Sequence, residues 1–541
     1  ILVKVIIDNM PKIAGGNKII FDQEDFLNGL HPQYGTSLTA TPYGKMTNKL
    51  VAASAFNPYR FMGYAAPGYL ATDVTNVSAI TDKIMNGVVG YESSVAYGYL
   101  IGANNLLHQL VISSNTISTG GAPWPHTITG VGAETGSDVI NYTIGSTRYI
   151  FYSYNDSGAN WNIGRYSLDG ATFDDDWFTT VPAGFFATSG NTEPHPMKIG
   201  QEDVLYIGDG NKVHAFDGGV SATGTVYQDV LVLPSGYRIT GFARLPDYLV
   251  VFAFFNGSGA ATANTFTRST AQAFAWNYLD GDATRVYELD DNAVTAAFEY
   301  KGTIGCFTKG RRSGPESANR YSKLKLFNGS TFETVQEFIG NAPPNGSVDI
   351  LNDIIQFNSD GILHQYGSPY EGLPIGLNKT GAGASTGTST NAGFCRTLDP
   401  DQGVLLSTGS GTSGGLQRFQ SNYALASHVV TSVIEPEFPE GKCGKVKSVT
   451  IYYAKTCSGG NSLTVSLQDT INGTSQIIDT VTAVTASGIV KKYTVKTNSG
   501  EMPRFDVLRV LLQWAAGAAT TDAPIVRRIV VEFEATDLKP L

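Results

Sequence analysis

Apolar runs of four to eight residues, each closed by a turn dipeptide, recur through the middle of this chain. No other feature limits its possible folds as strongly. Tyr149-Ile-Phe-Tyr-Ser-Tyr154 stops at Asn155-Asp156, Val204-Leu-Tyr-Ile207 at Gly208-Asp209-Gly210, and Tyr248-Leu-Val-Val-Phe-Ala-Phe-Phe255 at Asn256-Gly257. Runs of that length, rich in Val, Ile, Tyr and Phe and bounded by Gly, Asn and Asp, read as strands. No convincing window of eleven or more residues places apolar side chains at i, i+3, i+4 and i+7 free of Gly, Pro or β-branched clusters, so helices are not expected. Composition agrees. Gly accounts for 61 of 541 residues, Tyr and Phe for 27 each, and charged residues for 16%, against a usual ~25%. The expected class is all-β.

Turn spacing separates a sandwich from a repeat architecture, because a propeller blade returns to the same turn every ~40–50 residues. Asp169-Gly170 and Asp217-Gly218 lie 48 residues apart, and so do Asp280-Gly281 and Asn328-Gly329. The gap of 63 between Asp217 and Asp280 reads as one blade with an enlarged loop around residues 257–271. Asp360-Gly361 follows after 32, as if one loop were trimmed. Asn-Gly and Asp-Gly suit type I′ turns, whose two central residues need positive φ. From 84 to 421 there are 338 residues, which at ~45–50 each make six or seven blades, seven being favoured.

The flanks differ. Residues 1–82 scatter Asn, Pro, Tyr and Gly without period and read as an extended N-terminal arm, with a short strand at 18–21. The propeller is expected over 83–424. Residues 430–541 hold six candidate strands, at 446–453, 463–467, 476–481, 490–495, 507–514 and 525–533, enough for a C-terminal β-sandwich. The Gly/Ala/Ser/Thr stretch 380–390 reads as a loop.

A net charge of −10, from 37 basic and 47 acidic side chains, supplies no global positive field for phosphates, so sequence-specific nucleic-acid binding is not expected. The longest apolar runs fall short of the ~18–20 residues that cross a bilayer, so no transmembrane segment is expected. The opening Ile1 to Ile7, with Lys4 inside it and Asp8, Asn9 and Pro11 behind it, lacks a signal peptide's apolar core. Cys306, Cys395, Cys443 and Cys457 are too few for a disulfide framework, though Cys443 and Cys457 flank a strand they could bridge.

Enzyme chemistry needs convergent titratable groups. His31, His108, His126, His195, His214, His364 and His428 show no metal-binding spacing and read as strand or loop residues without partners. Asp174-Asp175-Asp176 and Glu288-Leu-Asp-Asp291 are acidic enough for Ca²⁺ but do not match the spaced loop that holds it. No phosphate-cradling glycine motif occurs. Arg311-Arg312 and Arg527-Arg528 would point to opposite faces of a strand. Trp124, Trp161, Trp177 and Trp276 could stack on sugars, but packing between blades is favoured. No catalytic, metal or cofactor-binding residue is assigned, no cofactor is expected, and the chain is not expected to be an enzyme.

Two resemblances follow from particular residues. Ser167-Leu-Asp-Gly-Ala-Thr-Phe173 resembles the sialidase Asp-box, less the residue between its Asp and Gly; the resemblance implies a hairpin over a packed aromatic ring, a structural role remote from catalysis. Phe21-Asp-Gln-Glu-Asp-Phe26-Leu-Asn-Gly29-Leu30 resembles the acidic, then Phe-x-x-Gly-Leu opening of tailed-bacteriophage structural proteins. Asn57-Pro58-Tyr59 to Pro67-Gly68 looks like the loop that follows it. By layout the chain is most similar to the tail nozzle of short-tailed phages. That resemblance implies a non-catalytic virion protein that assembles with copies of itself, six in a nozzle, and with other tail proteins around the DNA exit conduit. A host-surface or glycan-binding tail protein is the alternative.

Overall fold

The computed structural model describes residues 18–23, 52–54, 65–66, 69–76, 78, 80, 83–103, 106–119, 123–128, 136–156, 160–180, 194–219, 224–255, 271–309, 321–367, 376–382, 393–410, 413–423, 427–430, 442–455, 462–469, 475–481, 490–494, 508–515 and 523–537. The chain divides into two compact units, one of Ile1–Ala71, His364–Ala382 and Gln420–Leu541, the other of Thr72–Leu363 and Gly383–Phe419. Among the described residues, α-helix is confined to the single turn Trp177–Thr180.

The second unit is a seven-bladed β-propeller, as favoured by the turn spacing. Blade 1 runs Ile84–Glu92, Val95–Gly102, Leu106–Val111 and Thr116–Ile117. Blade 2 runs Gly136–Ile144, Thr147–Asp156, Asn160–Ser167 and Thr172–Asp174, and blade 3 Met197–Ile199, Leu205–Asp209, Lys212–Asp217 and Thr225–Val232. Blade 4 runs Tyr237–Leu245, Tyr248–Phe255, Ala271–Trp276 and Arg285–Glu288, and blade 5 Ala293–Tyr300, Thr303–Lys309, Tyr321–Phe327 and Phe332–Ile339. Blade 6 opens with Val348–Leu351 and Ile354–Ser359, and blade 7 with Cys395–Arg396 and Val404–Ser410. First strands of successive blades pack side by side around the ring, and Val404–Ser410 returns to Ile84–Glu92.

The blade strands are apolar on both faces because each blade lies between two others. Along Tyr248–Phe255, Val250, Phe252 and Phe254 enter one buried cluster with Val294, Ile304 and Cys306 of blade 5. The alternate residues Leu249, Val251 and Ala253 enter another with Val213, Ala215 and Leu231 of blade 3. The two-residue period of a strand thus divides one continuous apolar run between two seams. Each Val, Leu or Phe so buried is worth about 1.5–3 kcal/mol.

Closure joins the ends of the ring. Ile84 N donates to Ser407 Oγ (3.0 Å), Phe394 N donates to Ile84 O (3.0 Å), and Ile84, Leu100 and Leu110 share a core with Phe394, Leu405 and Leu416. The residues just before blade 1 cross the same seam: Val74 N donates to Leu416 O and Ile117 N to Thr75 O, both at 3.1 Å.

Turn chemistry corrects two expectations. Asp169-Gly170, Asp217-Gly218, Asp280-Gly281 and Asn328-Gly329 all lie between third and fourth strands, so they are equivalent points of four blades. Asp360-Gly361 lies between the second strand and the third, Ile362–Gly367. Its short spacing reflects a different turn of the blade, and no loop is trimmed. Only this pair of the five has positive φ at both residues, 55° and 75°. The others are wider loops shaped by side chains. Asn328 Oδ1 accepts from Ser330 N and Thr331 N (both 2.9 Å), and Asp217 Oδ1 from Gly219 N (2.8 Å), the local bonding that lets Asn and Asp mimic a turn. Paired positive φ appears instead at Ser93-Ser94, Lys301-Gly302 and Asn352-Asp353, between first and second strands.

In the first unit, a four-stranded sheet runs in the order Lys18–Gln23, Ile525–Asp537, Lys442–Lys455, Val490–Thr494. A five-stranded sheet runs Ala52–Ser54, Ser427–Val430, Leu508–Ala515, Ser462–Asp469, Ser475–Val481. All six strands expected after residue 430 are present. Two N-terminal strands each form the edge of one sheet, Lys18–Gln23 antiparallel to Ile525–Asp537 and Ala52–Ser54 antiparallel to Ser427–Val430. Burial alternates here: Leu508, Val510, Leu512 and Trp514 are covered while Gln513 and Ala515 are exposed. Trp514 Nε1 donates to Pro524 O (2.8 Å), just ahead of the other sheet's long strand. Residues 380–382, expected in a loop, end the strand Gly376–Ala382. The rest of that stretch, residues 24–30, 57–60, 67–68, 256–270 and 311–312, and Cys457 lie outside the described residues.

Candidate functional site

Several of the residues singled out in the sequence meet at the seam between blades 1 and 2. The turn Ser167–Phe173 folds as its resemblance implies. Ser167 Oγ accepts from Gly170 N (3.0 Å), Asp169 takes both the backbone N (2.9 Å) and the guanidinium (2.7 Å) of Arg148, and Phe173 lies beneath. Phe173 packs on Tyr166 (4.5 Å between centroids) and Trp124 (5.5 Å) and stacks flat on His126 (3.6 Å, 9°). His126 belongs to a strand paired with Leu106 and Leu107 of blade 1. Its Nε2 lies 3.0 and 3.2 Å from the two carboxylate oxygens of Asp175, which follows blade 2. The hydroxyl of Tyr152 donates to the same carboxylate, and that of Tyr154 to Asp175 O (2.8 Å) and Asp176 Oδ1 (3.1 Å).

A second carboxylate serves the same seam. Glu92 Oε1 accepts from Tyr99 (2.6 Å), Tyr166 (2.8 Å) and Gln109 Nε2 (3.1 Å). Burial, reinforced by the bond to Glu92, pushes the Tyr99 and Tyr166 phenols far above their ordinary range, and burial beside Asp175 does the same for Tyr152. These phenols therefore stay protonated and donate hydrogen bonds at any physiological pH. The His126–Asp175 pair is joined across the seam, and both carboxylate oxygens are engaged. What this arrangement does chemically is hold one blade to the next.

The remaining histidines correct the expectation of partnerless side chains. Buried His195 bonds Gly208 O through Nδ1 (2.9 Å), its pKa lowered by burial, and His214 accepts from Asp229 N (3.0 Å) with Asp209 at 3.5 Å. His108 and His364 are buried, His428 pairs with Ser54 across its strand, and His31 lies outside the described residues. Of the second acidic run, Asp291 is 0% exposed and meets Lys323 (2.9 Å), Lys325 (3.2 Å) and the Thr308 hydroxyl (2.7 Å). Trp124, Trp177 and Trp276 are buried between blades. Arg527 is exposed while Arg528 turns to the Tyr452 ring (5.3 Å).

Sequence reasoning missed the inner ring. Asn86 Nδ2 donates to Asp138 Oδ1 (2.7 Å), whose carboxylate also accepts from Val139 N (2.9 Å) and Met197 N (2.7 Å), so one half-buried side chain ties the first strands of blades 1, 2 and 3. Asp349 Oδ2 accepts from Thr397 N (2.8 Å), joining blade 6 to the start of blade 7. A signal for the first of these did exist. Asn86 and Asp138 are 52 residues apart and His126 and Asp175 are 49 apart, each about one blade repeat.

No protein-family model matches the chain, and neither does any curated protein. Among solved structures, it is similar to the Dos1 propeller, at 9% identity and a TM-score of 0.39 over 66% of this chain and 96% of that one. It is also similar to the computationally designed Ika8 protein, at 8% identity and a TM-score of 0.37 over 64% of this chain and 99% of that one.

Proposed function

We propose that the chain is a structural virion protein of a phage tail, a nozzle or tail-tip ring component. In this reading it is non-catalytic and works by assembling with further copies of itself, six in a nozzle, and with other tail proteins around the DNA exit conduit. The observation that carries the reading is the deployment of the polar side chains in the blade 1–2 seam. The carboxylates, phenols and imidazole there are joined to one another between blades, which suits a stiff building block. The finer architecture belongs to this proposal too. Residues 430–541 form a sandwich of the two sheets, and residues 1–82 act as an arm, two of whose short strands, Lys18–Gln23 and Ala52–Ser54, are held at the sheet edges. Arms that lack a core gain order by lying on partners. A net charge of −10 suits a conduit wall that repels phosphate.

Negative-stain microscopy of the purified chain tests this: closed rings are expected, and isolated particles at every concentration would sink it. The adhesion reading has its own supporting observation, the partly exposed rings of Tyr91, Tyr227 and Phe255. Selective retention on a glycan array, together with the absence of rings, would favour it.

A further inference from the structure

The inner end of the propeller holds one feature that blade-to-blade packing does not account for. Between blades 5 and 6 the chain makes a short 3₁₀ turn, Asn345–Ser347, in contact with the first strands of blades 1, 2, 5 and 7 and the second strand of blade 6. Asn345 Nδ2 donates to Thr240 O of blade 4 (2.6 Å), and its Oδ1 accepts from Ala297 N of blade 5 (3.0 Å). Gly346 lies against blade 1: a Cβ placed there would fall 1.9 Å from Met85 O and 2.9 Å from Asn86 Cα. Ser347 is 0% exposed.

The first strands are shaped to receive this turn. Those of blades 1, 2, 4 and 5 each carry a β-bulge near their start, at Met85, Ser137, Thr240 and Thr295. A bulge re-aims the strand and frees backbone groups from the ladder. The residue after the bulge is polar in blades 1 and 2, where Asn86 and Asp138 bond each other, and small in blades 4 and 5, where it is Gly241 and Ala296. A Cβ on Gly241 would lie 2.9–3.0 Å from the Asn345 amide atoms. The side chain of Asn345 therefore occupies the space that small residues leave in blades 4 and 5 and supplies the hydrogen bonds that Asn86 and Asp138 supply in blades 1 and 2.

We infer that Asn345–Ser347 is a built-in axial plug. It closes the propeller axis at the end where the first strands begin, and it ties blades 4 and 5 across the ring to blade 1. This rests on the geometry of the propeller alone, independent of the phage reading. One consequence bears on that reading: a conduit built from this protein has its lumen between copies, and the axis of the propeller does not carry DNA.

Amide hydrogen exchange on the full chain tests the inference, with three single variants. Gly346→Ala is expected to raise exchange of the first strands of blades 1, 4 and 5 by about tenfold or more, because either Met85 or the plug must move. Asn345→Ala adds no atom and is expected to raise exchange at Ala297 and Asn86 by about three- to tenfold, the scale of a lost hydrogen bond. Ser347→Ala removes a buried hydroxyl with no hydrogen-bond partner among the described residues and is expected to leave exchange unchanged. Wild-type exchange in both Gly346→Ala and Asn345→Ala would overturn the plug. Should Gly346→Ala fail to fold, Asn345→Ala decides alone, and a response confined to blade 5 with blade 1 unmoved would also overturn it.

Discussion

A propeller strand and a strand of the other unit bury their residues by different rules. In Tyr248–Phe255 six consecutive residues are buried, while in Leu508–Ala515 burial alternates. The first pattern belongs to a strand covered on both faces by neighbouring blades, the second to a sheet with one covered face. Much of the difference lies in side-chain sequence, Leu-Val-Val-Phe-Ala-Phe against Leu-Arg-Val-Leu-Leu-Gln-Trp, and much of its consequence in mechanical coupling. A change in a blade strand is felt in one seam or the next depending on its parity, and every position counts.

The sharpest break of that comparison is a pair of neighbouring truncations in each unit, read by denaturant unfolding. Phe252→Ala should cost about 3–5 kcal/mol and Val251→Ala about 1–3 kcal/mol. Each cost is read in a different seam, since the two side chains enter different clusters. In the other unit Leu512→Ala should cost about 2–5 kcal/mol, whereas exposed Gln513→Ala should stay within about 0.5 kcal/mol. Equal costs at Leu512 and Gln513 would erase the distinction.

The Asp138 carboxylate of the inner ring provides the next largest effect. Burial raises Asp138 from 3.8 to about 6, outweighing the hydrogen bonds from Met197 and Val139 that favour its charge. Between those values the folded chain holds a proton that the unfolded chain releases. Stability therefore falls as pH rises through 4 to 6, by about 3 kcal/mol, and this contribution is constant above that window. Denaturation midpoints of the wild type relative to Asp138→Asn should show that slope and no further divergence above pH 7; parallel curves from pH 3.5 to 7 would refute it. A smaller effect is expected at the blade 1–2 seam. Tyr166→Phe leaves Glu92 with two of its three donors and should cost about 1.5–3 kcal/mol, and a cost near zero would mean that solvent already serves that carboxylate.

The strands were legible because their signals are local: β-branched and aromatic runs, a two-residue period, and Gly, Asn or Asp where the chain reverses. The repeat was legible for the same reason, through equivalent turns in blades 2 to 5. Asp360-Gly361 was misplaced because a dipeptide specifies a reversal and not which of a blade's turns makes it. At the candidate site, the Ser167–Phe173 turn, Trp124, His126 and Asp175 could each be noticed separately, but their meeting depends on two blades lying side by side. Pro343-Pro-Asn-Gly346 marks a reversal locally, but nothing local says that this turn reaches the axis. Its meaning comes from distant strands, since Asn345 lies 48 residues from its partner Ala297 and 105 from its partner Thr240.

By itself, then, the sequence determined the all-β class, the blade-sized period and the doubly apolar strands, because backbone propensity and turn chemistry act over a few neighbouring residues. Tertiary structure alone decided how the ring shuts, with Ile84 meeting Ser407 across 323 residues, which carboxylates are buried, and what fills the axis. Those outcomes depend on non-local contacts whose loop entropy is repaid only when the ring of blades closes.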